Sequence, residues 1–297
     1  MISGMKTGMR LGILLLLGLT TIAGGDPYGT AEPLWSRYFE TNPRAREMYG
    51  TRAVPLGDRE RCEAVREMFR EAGMAEPVLE ATGGPETCPG NVIAVLPGSA
   101  PGAIIVSAHL DRAGTGEGAV DDFSGAVMVA MLLGYFRDRP HKHTLLFVAF
   151  DGEEKDQSGS RRFLESSANM PDEVLVVINL ECLGVTFPRS WEEGSSESLE
   201  EMFIRAGRLN RIDSGPVSIA GVIADSIGFL EAGYPAITIQ GIHPEDVPLL
   251  GTAWDRAGVV RTDILSVTFD ALTEFIRELD ALTGAPGAAD GADETHP

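Results

Sequence analysis

Several side chains of the kinds that bind metal ions stand directly after apolar, β-branched runs. His109 and Asp111 follow one such run, the pair Glu153 and Glu154 follows a second, and Glu181 closes a third. Zinc takes imidazole nitrogen and carboxylate oxygen as ligands, and ionisable groups are rarely buried unless they are paired or bound to a metal. The pattern therefore predicts a metal site, provided that the three runs end at one place in the fold.

The chemistry suggests a role for each of these groups. A carboxylate can bridge two metals, and Asp121, in a Gly-flanked loop, is the candidate bridge. Asp111 can accept the second ring proton of a ligating His109. Adjacent side chains after a strand point in different directions, so one of Glu153 and Glu154 can bind metal while the other takes a proton from water.

The elements that must position these residues alternate along the chain. The predicted strands are 91–96, 103–108, 144–150, 174–180 and 236–240. The predicted helices are 58–72, 124–136, 160–168, 195–209 and 265–282. This alternation predicts an α/β fold, a three-layer α/β/α sandwich with a mostly parallel central sheet. In such a sheet the ligand crevice lies at the carboxyl ends of the strands, where the candidate residues stand.

Length and composition predict one folded domain between two short terminal segments. Residues 1–25 carry a positive start, an apolar run and small residues, the order of a secretory signal, with an uncleaved N-terminal anchor as the alternative. Residues 26–283 are predicted to form the domain, and the Gly-, Ala-, Asp- and Pro-rich residues 284–297 to be disordered. We therefore expect an exported protein, periplasmic or extracellular, with a membrane tether only through its N-terminus.

The net charge limits the possible binding partners, and the cysteine spacing limits the possible roles of the cysteines. The formal net charge is -20, and a surface this acidic repels phosphate backbones, so no nucleic-acid partner is expected. Of the three cysteines, Cys62 and Cys88 can pair in an oxidising compartment, whereas Cys182 lies in an apolar run. Their spacing matches no zinc-binding pattern, so we interpret all three as structural.

The order of these motifs resembles metallopeptidase family twenty-eight, the zinc aminopeptidases that also include glutamate carboxypeptidases and glutaminyl cyclases. The matching segments are IIVSAHLDR (104–112), GAVDDFSGAV (118–127), LLFVAFDGEEKDQSGSRRF (145–163) and VINLECLG (177–184). Weaker similarity on both sides extends the match over most of residues 46–282. The resemblance implies a zinc-aminopeptidase-like fold and one or two zinc ions.

The resemblance also implies a role for each residue. His109 would bind the first metal, Asp121 would bridge both metals, and Glu154 would bind the second. Glu153 would be the general base. Glu181 stands at the fourth ligand, where the family usually has Asp, and it is still a carboxylate that can ligate. The family usually has a cis peptide bond directly after the bridging residue.

Two positions depart further from the family. The fifth ligand is usually a His, and the best local match, LGTAWD (250–255), places Gly251 there. Glycine offers no ligand, so His243, earlier on the same loop, is the candidate substitute. Ser226 likewise stands where many members have a His.

The resemblance implies hydrolysis of a peptide or aminoacyl substrate, with removal of the N-terminal residue. Two alternatives stay open. A glutaminyl-cyclase-like acyltransferase uses the same fold with one zinc, which suits the missing fifth ligand. A non-catalytic binding domain of the same fold would explain Gly251 and Ser226. The sequence leaves substrate specificity undecided.

Overall fold

The computed structural model describes residues 54–75, 77–81, 90–166 and 168–282. The segments interpreted as a signal or anchor and as a disordered tail lie outside these residues, and so does Cys88. The strands are β1 (Val78–Ala81), β2 (Gly90–Leu96), β3 (Ala103–His109), β4 (Thr144–Phe150), β5 (Val174–Glu181), β6 (Arg189–Ser190) and β7 (Ala236–Gln240). The helices are α1 (Asp58–Glu71), α2 (Ser124–Arg137), α3 (Ser158–Glu165), α4 (Glu197–Leu209), α5 (Ser226–Glu231) and α6 (Thr262–Ala281).

The strands form one mixed sheet in the order β1-β2-β4-β3-β5-β7-β6. The central strands β4, β3, β5 and β7 are parallel, whereas β1, β2 and β6 pair antiparallel at the two sides. The links from β2 to β3 (97–102) and from β5 to β6 (182–188) are too short for a parallel crossover, so the chain reverses its direction across each of them. The predicted α/β fold with a parallel centre is confirmed, and its antiparallel margins are an addition to it.

Helices cover both faces of the sheet because its central strands are apolar on both sides. All seven residues of β3 are buried, and alternate residues face opposite layers. Ile104 and Val106 join the core under α1, α2, α4 and α6, whereas Ile105 joins the core under α3 and α5. The stretch Ala119–Arg137 is long and apolar enough to cross a membrane, but 89% of it is buried, as befits a core helix.

The carboxyl ends of the parallel strands meet along one edge of the sheet. His109 is the last residue of β3, Glu181 the last of β5 and Gln240 the last of β7, while Glu153 follows β4 within three residues. In the register of the sheet, Glu181 lies opposite Gln240. Residues far apart in the sequence therefore reach one crevice, as the alternation of elements predicts.

Candidate metal centre

His109 lies at the centre of the site and is 1% exposed. Its Nε2 atom is 3.0 Å from Asp121 Oδ1 and 3.6 Å from Glu181 Oε2. Its Nδ1 atom is 3.3 Å from Asp111 Oδ1. Burial acts to lower the pKa of His109, but the surrounding carboxylates of Glu181, Asp111 and Asp121 raise it well above its ordinary value. The imidazole is therefore surrounded by negative charge.

The spacing of these groups fits a cation. Two ligands of a tetrahedral zinc ion stand about 3.4 Å apart when each bond is about 2.0–2.1 Å long. The distances from His109 Nε2 to Asp121 and to Glu181, 3.0 and 3.6 Å, fall on either side of that value. Ligand atoms of His109, Asp121 and Glu154 also lie within 4.8 Å of one another. Burial, with the neighbouring Asp122, raises the pKa of Glu181 well above its ordinary value.

Asp111 joins the histidine to the two glutamates. Its Oδ1 atom lies beside His109 Nδ1 and accepts the backbone N–H of Glu153 at 3.1 Å. Its Oδ2 atom accepts the backbone N–H of Glu154 at 3.2 Å. Burial acts to raise the pKa of Asp111, but the His109 and backbone hydrogen bonds lower it below the ordinary value. The carboxylate thus stays ionised and orients the groups on both sides, as a partner of a ligating histidine does.

Glu153 and Glu154 enter the same cavity from the turn after β4. Both line it together with Asp121 and Glu181. Glu154 Oε1 is buried without a hydrogen-bond partner among the described residues, as expected of an atom that awaits a ligand. Glu153 belongs to none of the groups of close ligand atoms in the described chain. Burial raises the pKa of Glu153 to about 8, and the nearby carboxylates of Asp225 and Asp121 add to the effect.

Asp122 fixes the backbone around the site. Its carboxylate accepts the N–H groups of His109 at 3.2 Å, Cys182 at 3.0 Å and Gly125 at 3.2 Å. These bonds join the ends of β3 and β5 to the start of α2. The peptide bond between Asp121 and Asp122 is cis, as the resemblance implies.

Arg61 of α1 is a supporting residue that the sequence analysis missed. It is fully buried, and its guanidinium donates to the carbonyls of Leu110, Glu117 and Gly118, which bracket the loop between His109 and the bridging aspartate. Burial lowers its pKa to about 10, so it stays charged at neutral pH. The sequence does contain a sign that Arg61 is buried, because it stands four residues before Val65, on the apolar face of its helix.

The structure does not bring His243 to the metal centre. This residue precedes the 3₁₀ turn Pro244–Leu249, and its N–H donates to Asp246 Oδ2 at 2.9 Å. It neither lines the cavity nor belongs to a group of close ligand atoms among the described residues. Gly251 has a left-handed φ of 66°, which suits glycine. His243 is thus not among the groups that the described residues bring together at the metal centre, and its role as a substitute ligand stays a prediction.

The remaining sequence candidates have structural partners. The Ser226 hydroxyl lies 2.6 Å from that of Thr238, and both residues are buried. Cys62 is disulfide-bonded, whereas Cys182 is a free, buried thiol. The predicted partner of Cys62 lies outside the described residues. Cys182 differs from expectation in one respect, because it lines the cavity beside Glu181.

The cavity holds about 400 Å³ and has two kinds of wall. The apolar lining residues, together termed the apolar wall, include Trp191, Val222, Ile223, Ile242 and Leu250. The acidic lining residues, termed the acidic wall, are Asp121, Glu153, Glu154, Asp156 and Glu181, and Arg161 is the basic residue among the described lining residues. A cavity of this size accommodates one or two amino-acid residues.

This fold and site define a class, the metal-dependent hydrolases with a cation site at the carboxyl edge of an α/β sheet and a free carboxylate beside it. The chain matches peptidase family M28 over residues 91–262, which is more than half of its length, and it belongs to that family. The family makes it a peptidase-type hydrolase.

Solved structures with the same fold agree with this placement. LapB from Legionella pneumophila superposes with a TM-score of 0.71 at 18% identity, over 86% of this chain and 74% of that one. BSAP, a zinc aminopeptidase from Bacillus subtilis, gives 0.57 at 23% identity, over 63% and 49% of the two chains. Porphyromonas gingivalis glutaminyl cyclase gives 0.62 at 18% identity, over 82% and 97%. At these identities the likeness is one of fold.

A curated relative matches over a shorter stretch. The vacuolar membrane protease of Pyrenophora tritici-repentis is 34% identical over 85 residues, which are 28% of this chain and 9% of that protein. The matched region therefore spans less than a tenth of the relative's length.

Proposed function

We propose that this protein is a zinc-dependent exopeptidase that removes N-terminal residues from peptides. The observation that carries the proposal is the meeting of four groups able to bind a cation: buried His109 lies beside Asp121, Glu154 and Glu181, and these three residues line one cavity with a free carboxylate. That free carboxylate is Glu153. The family membership and the zinc aminopeptidase among the structural neighbours support zinc as the metal.

His109, Asp121 and Glu181 would hold the first zinc ion. Asp121 and Glu154 would contribute to a second position, and His109, whose ligand atom lies close to both, is assigned to the first. Bound zinc polarises a substrate carbonyl and lowers the pKa of water. We expect one zinc ion to be held more tightly than the other, because the position at Glu154 has fewer ligands.

The chain's own residues supply the remaining chemistry. Glu153 takes the proton from the attacking water and delivers it to the leaving amine. Asp111 fixes the position of His109 relative to the backbone of Glu153 and Glu154 through its three hydrogen bonds. The acidic wall attracts a substrate with a positively charged amino terminus, which favours cleavage at that end.

The decisive experiment is Glu153→Gln in zinc-loaded protein, with hydrolysis of aminoacyl p-nitroanilides as the assay. We expect kcat to fall by about 10²–10⁴-fold, the usual contribution of a general base, while the zinc content stays unchanged. Glu173→Gln, at an exposed position outside the cavity, is the matched control and should retain activity. Full activity in Glu153→Gln, or wild-type protein that stays zinc-free under replete conditions, would contradict the proposal.

Two other functions also merit a test, because Gly251 stands where the family usually has a His ligand and offers no ligand itself. An acyltransferase would convert N-terminal glutamine to pyroglutamate instead of releasing free glutamine, and chromatography separates these products. A non-catalytic binding domain would hold zinc or peptide without turnover.

We also propose that the domain works outside the cytoplasm. The disulfide at Cys62 supports an oxidising compartment, because cytosolic thiols are kept reduced. The relatives named vacuolar membrane proteases are consistent with a location at or beyond a membrane. Cell fractionation tests this, and full-length protein confined to the cytosol would contradict it.

A further inference from the structure

Gln240 occupies a position from which it can select substrates. It is the last residue of β7, and its register partner on β5 is Glu181, a proposed zinc ligand. It is 4% exposed and lines the same cavity as Glu181 and Glu153. A substrate held for hydrolysis at the metal centre would therefore occupy the cavity that this amide lines.

The Gln240 amide differs from Gln157 and Thr238, two other uncharged polar side chains that line the cavity. Gln157 donates its amide N–H to the Ala224 carbonyl. The Thr238 hydroxyl is paired with that of Ser226 at 2.6 Å. Gln240 Nε2, by contrast, is buried and has no hydrogen-bond partner in the described part of the chain. Of the two amide side chains among the described lining residues, Gln240 is thus the one whose N–H group has no intramolecular partner.

An unpaired buried amide weakens the folded state unless a ligand completes its hydrogen bonds. An amide carries both a donor and an acceptor, so a second amide matches it whichever way the Gln240 group is turned. An apolar side chain would leave Gln240 unpaired, and an acidic one would face five carboxylates. We propose that Gln240 makes this site selective for substrates whose N-terminal residue has a neutral amide side chain, asparagine or glutamine. This inference rests on the proposed exopeptidase function.

The wild-type enzyme provides the first test, with substrates paired by shape. Aminoacyl p-nitroanilides of Gln and Met form one pair, and those of Asn and Leu form the other, with Lys and Glu derivatives as charged references. We expect kcat/KM to be about tenfold or more higher for the amide member of each pair, because the apolar member leaves a buried group unpaired. Higher values for Met and Leu, or for either charged substrate, would overturn the assignment. Free glutamine and pyroglutamate are measured separately, so that cyclisation is not counted as hydrolysis.

Variants then test whether Gln240 carries the preference. Gln240→Met should bring the Gln-to-Met ratio of kcat/KM to about one or below, mainly by lowering turnover of the Gln substrate. Gln157→Met changes the same residue type in the same cavity, at an amide that already has a partner, and should keep the wild-type ratio. Gln240→Ala serves if the first variant does not fold. A wild-type ratio in both folded Gln240 variants would sink the proposal.

Failure of the proposed function can be told apart from failure of this inference. If zinc-loaded wild-type protein cleaves none of the substrates, the exopeptidase function has failed. Calorimetric binding of free glutamine and methionine to that zinc-loaded protein then tests selectivity alone. Tighter binding of glutamine supports the role of Gln240, and equal or tighter binding of methionine contradicts it.

Discussion

The two sides of the metal centre are built in different ways. On the strand side, defined as the ends of β3, β4 and β5, backbone hydrogen bonds hold the charged groups through Asp111 and Asp122. On the loop side, residues 241–261 between β7 and α6, the chain runs through 3₁₀ turns and lends Ile242 and Leu250 to the apolar wall. The comparison shows that the candidate ligands lie at the strand ends and on the segments tied to them by Asp111 and Asp122, while the loop side shapes the space for the substrate.

The loop side nevertheless contributes to the metal centre, by hydrogen bonds instead of ligation. The Gly251 carbonyl accepts the N–H of Thr115 at 3.0 Å. The Asp255 side chain accepts the N–H of Val120 at 2.7 Å, directly before Asp121. The segment that in the family usually supplies a ligand here holds the loop that leads to the bridging aspartate.

The largest expected effect comes from breaking the strand side at Asp111. Asp111→Ala removes the partner of His109 and of two backbone N–H groups, so we expect zinc affinity to fall about 10–100-fold and kcat/KM to fall at least as much. Zinc competition titration and steady-state kinetics measure the two losses. Asp111→Asn retains one acceptor and should lose less. Wild-type zinc affinity in Asp111→Ala would show that the strand side needs no such partner.

A variant of Arg61 tests whether the buried guanidinium stabilises the loop between His109 and Asp121. Arg61→Met leaves the carbonyls of Leu110, Asp111, Glu117 and Gly118 without their donor, and we expect the free energy of unfolding to fall by about 3 kcal/mol. Chemical denaturation of the zinc-free protein measures it, and exposed Arg208→Met is the control. An unchanged denaturation midpoint would mean that water or other groups replace the guanidinium without loss.

A smaller effect is expected on α6, which follows the loop side. Burial raises the pKa of Asp270 to about 6, above its ordinary 3.8. Because this carboxyl binds its proton more tightly when folded, its contribution to stability is greatest below pH 3.8 and is lost as the pH rises through about 6. Asp270→Asn should therefore stabilise the protein by about 1 kcal/mol above pH 6, after allowance for solvent screening, with little difference below pH 4. Thermal melts above pH 6 and below pH 4 measure the difference in stability between Asp270→Asn and the wild type. An equal gain in both pH ranges would point to another cause.

The smallest effect is expected at His243. Because His243 belongs to no group of close ligand atoms among the described residues, His243→Ala should leave zinc affinity and kcat within about twofold of the wild type. Zinc titration provides the measurement. A tenfold loss of affinity would show that the loop side does deliver a ligand, and the contrast between the two sides would disappear.

The strand side could be predicted from the sequence and the loop side could not. Continuous apolar runs mark buried strands, and the residues that follow them must share an edge, so the cluster at His109 and Glu181 follows from pattern alone. The position of His243 depends on 3₁₀ turns that have no hydrophobic period. Arg61 was missed for a related reason, since its carbonyl partners at Leu110 and Gly118 lie about fifty residues further along the chain.

The bonds made by Asp111 have a consequence for redesign of the coordination sphere. The Asp111 carboxylate is hydrogen-bonded to both the imidazole of His109 and the backbone of Glu153, so a change that moves His109 also moves Glu153. Glu181 is oriented separately, through the amide of Asn179 at 2.9 Å. An attempt to install a different metal should therefore begin at Glu181, where an exchange for aspartate or histidine leaves the proton-transfer group in place.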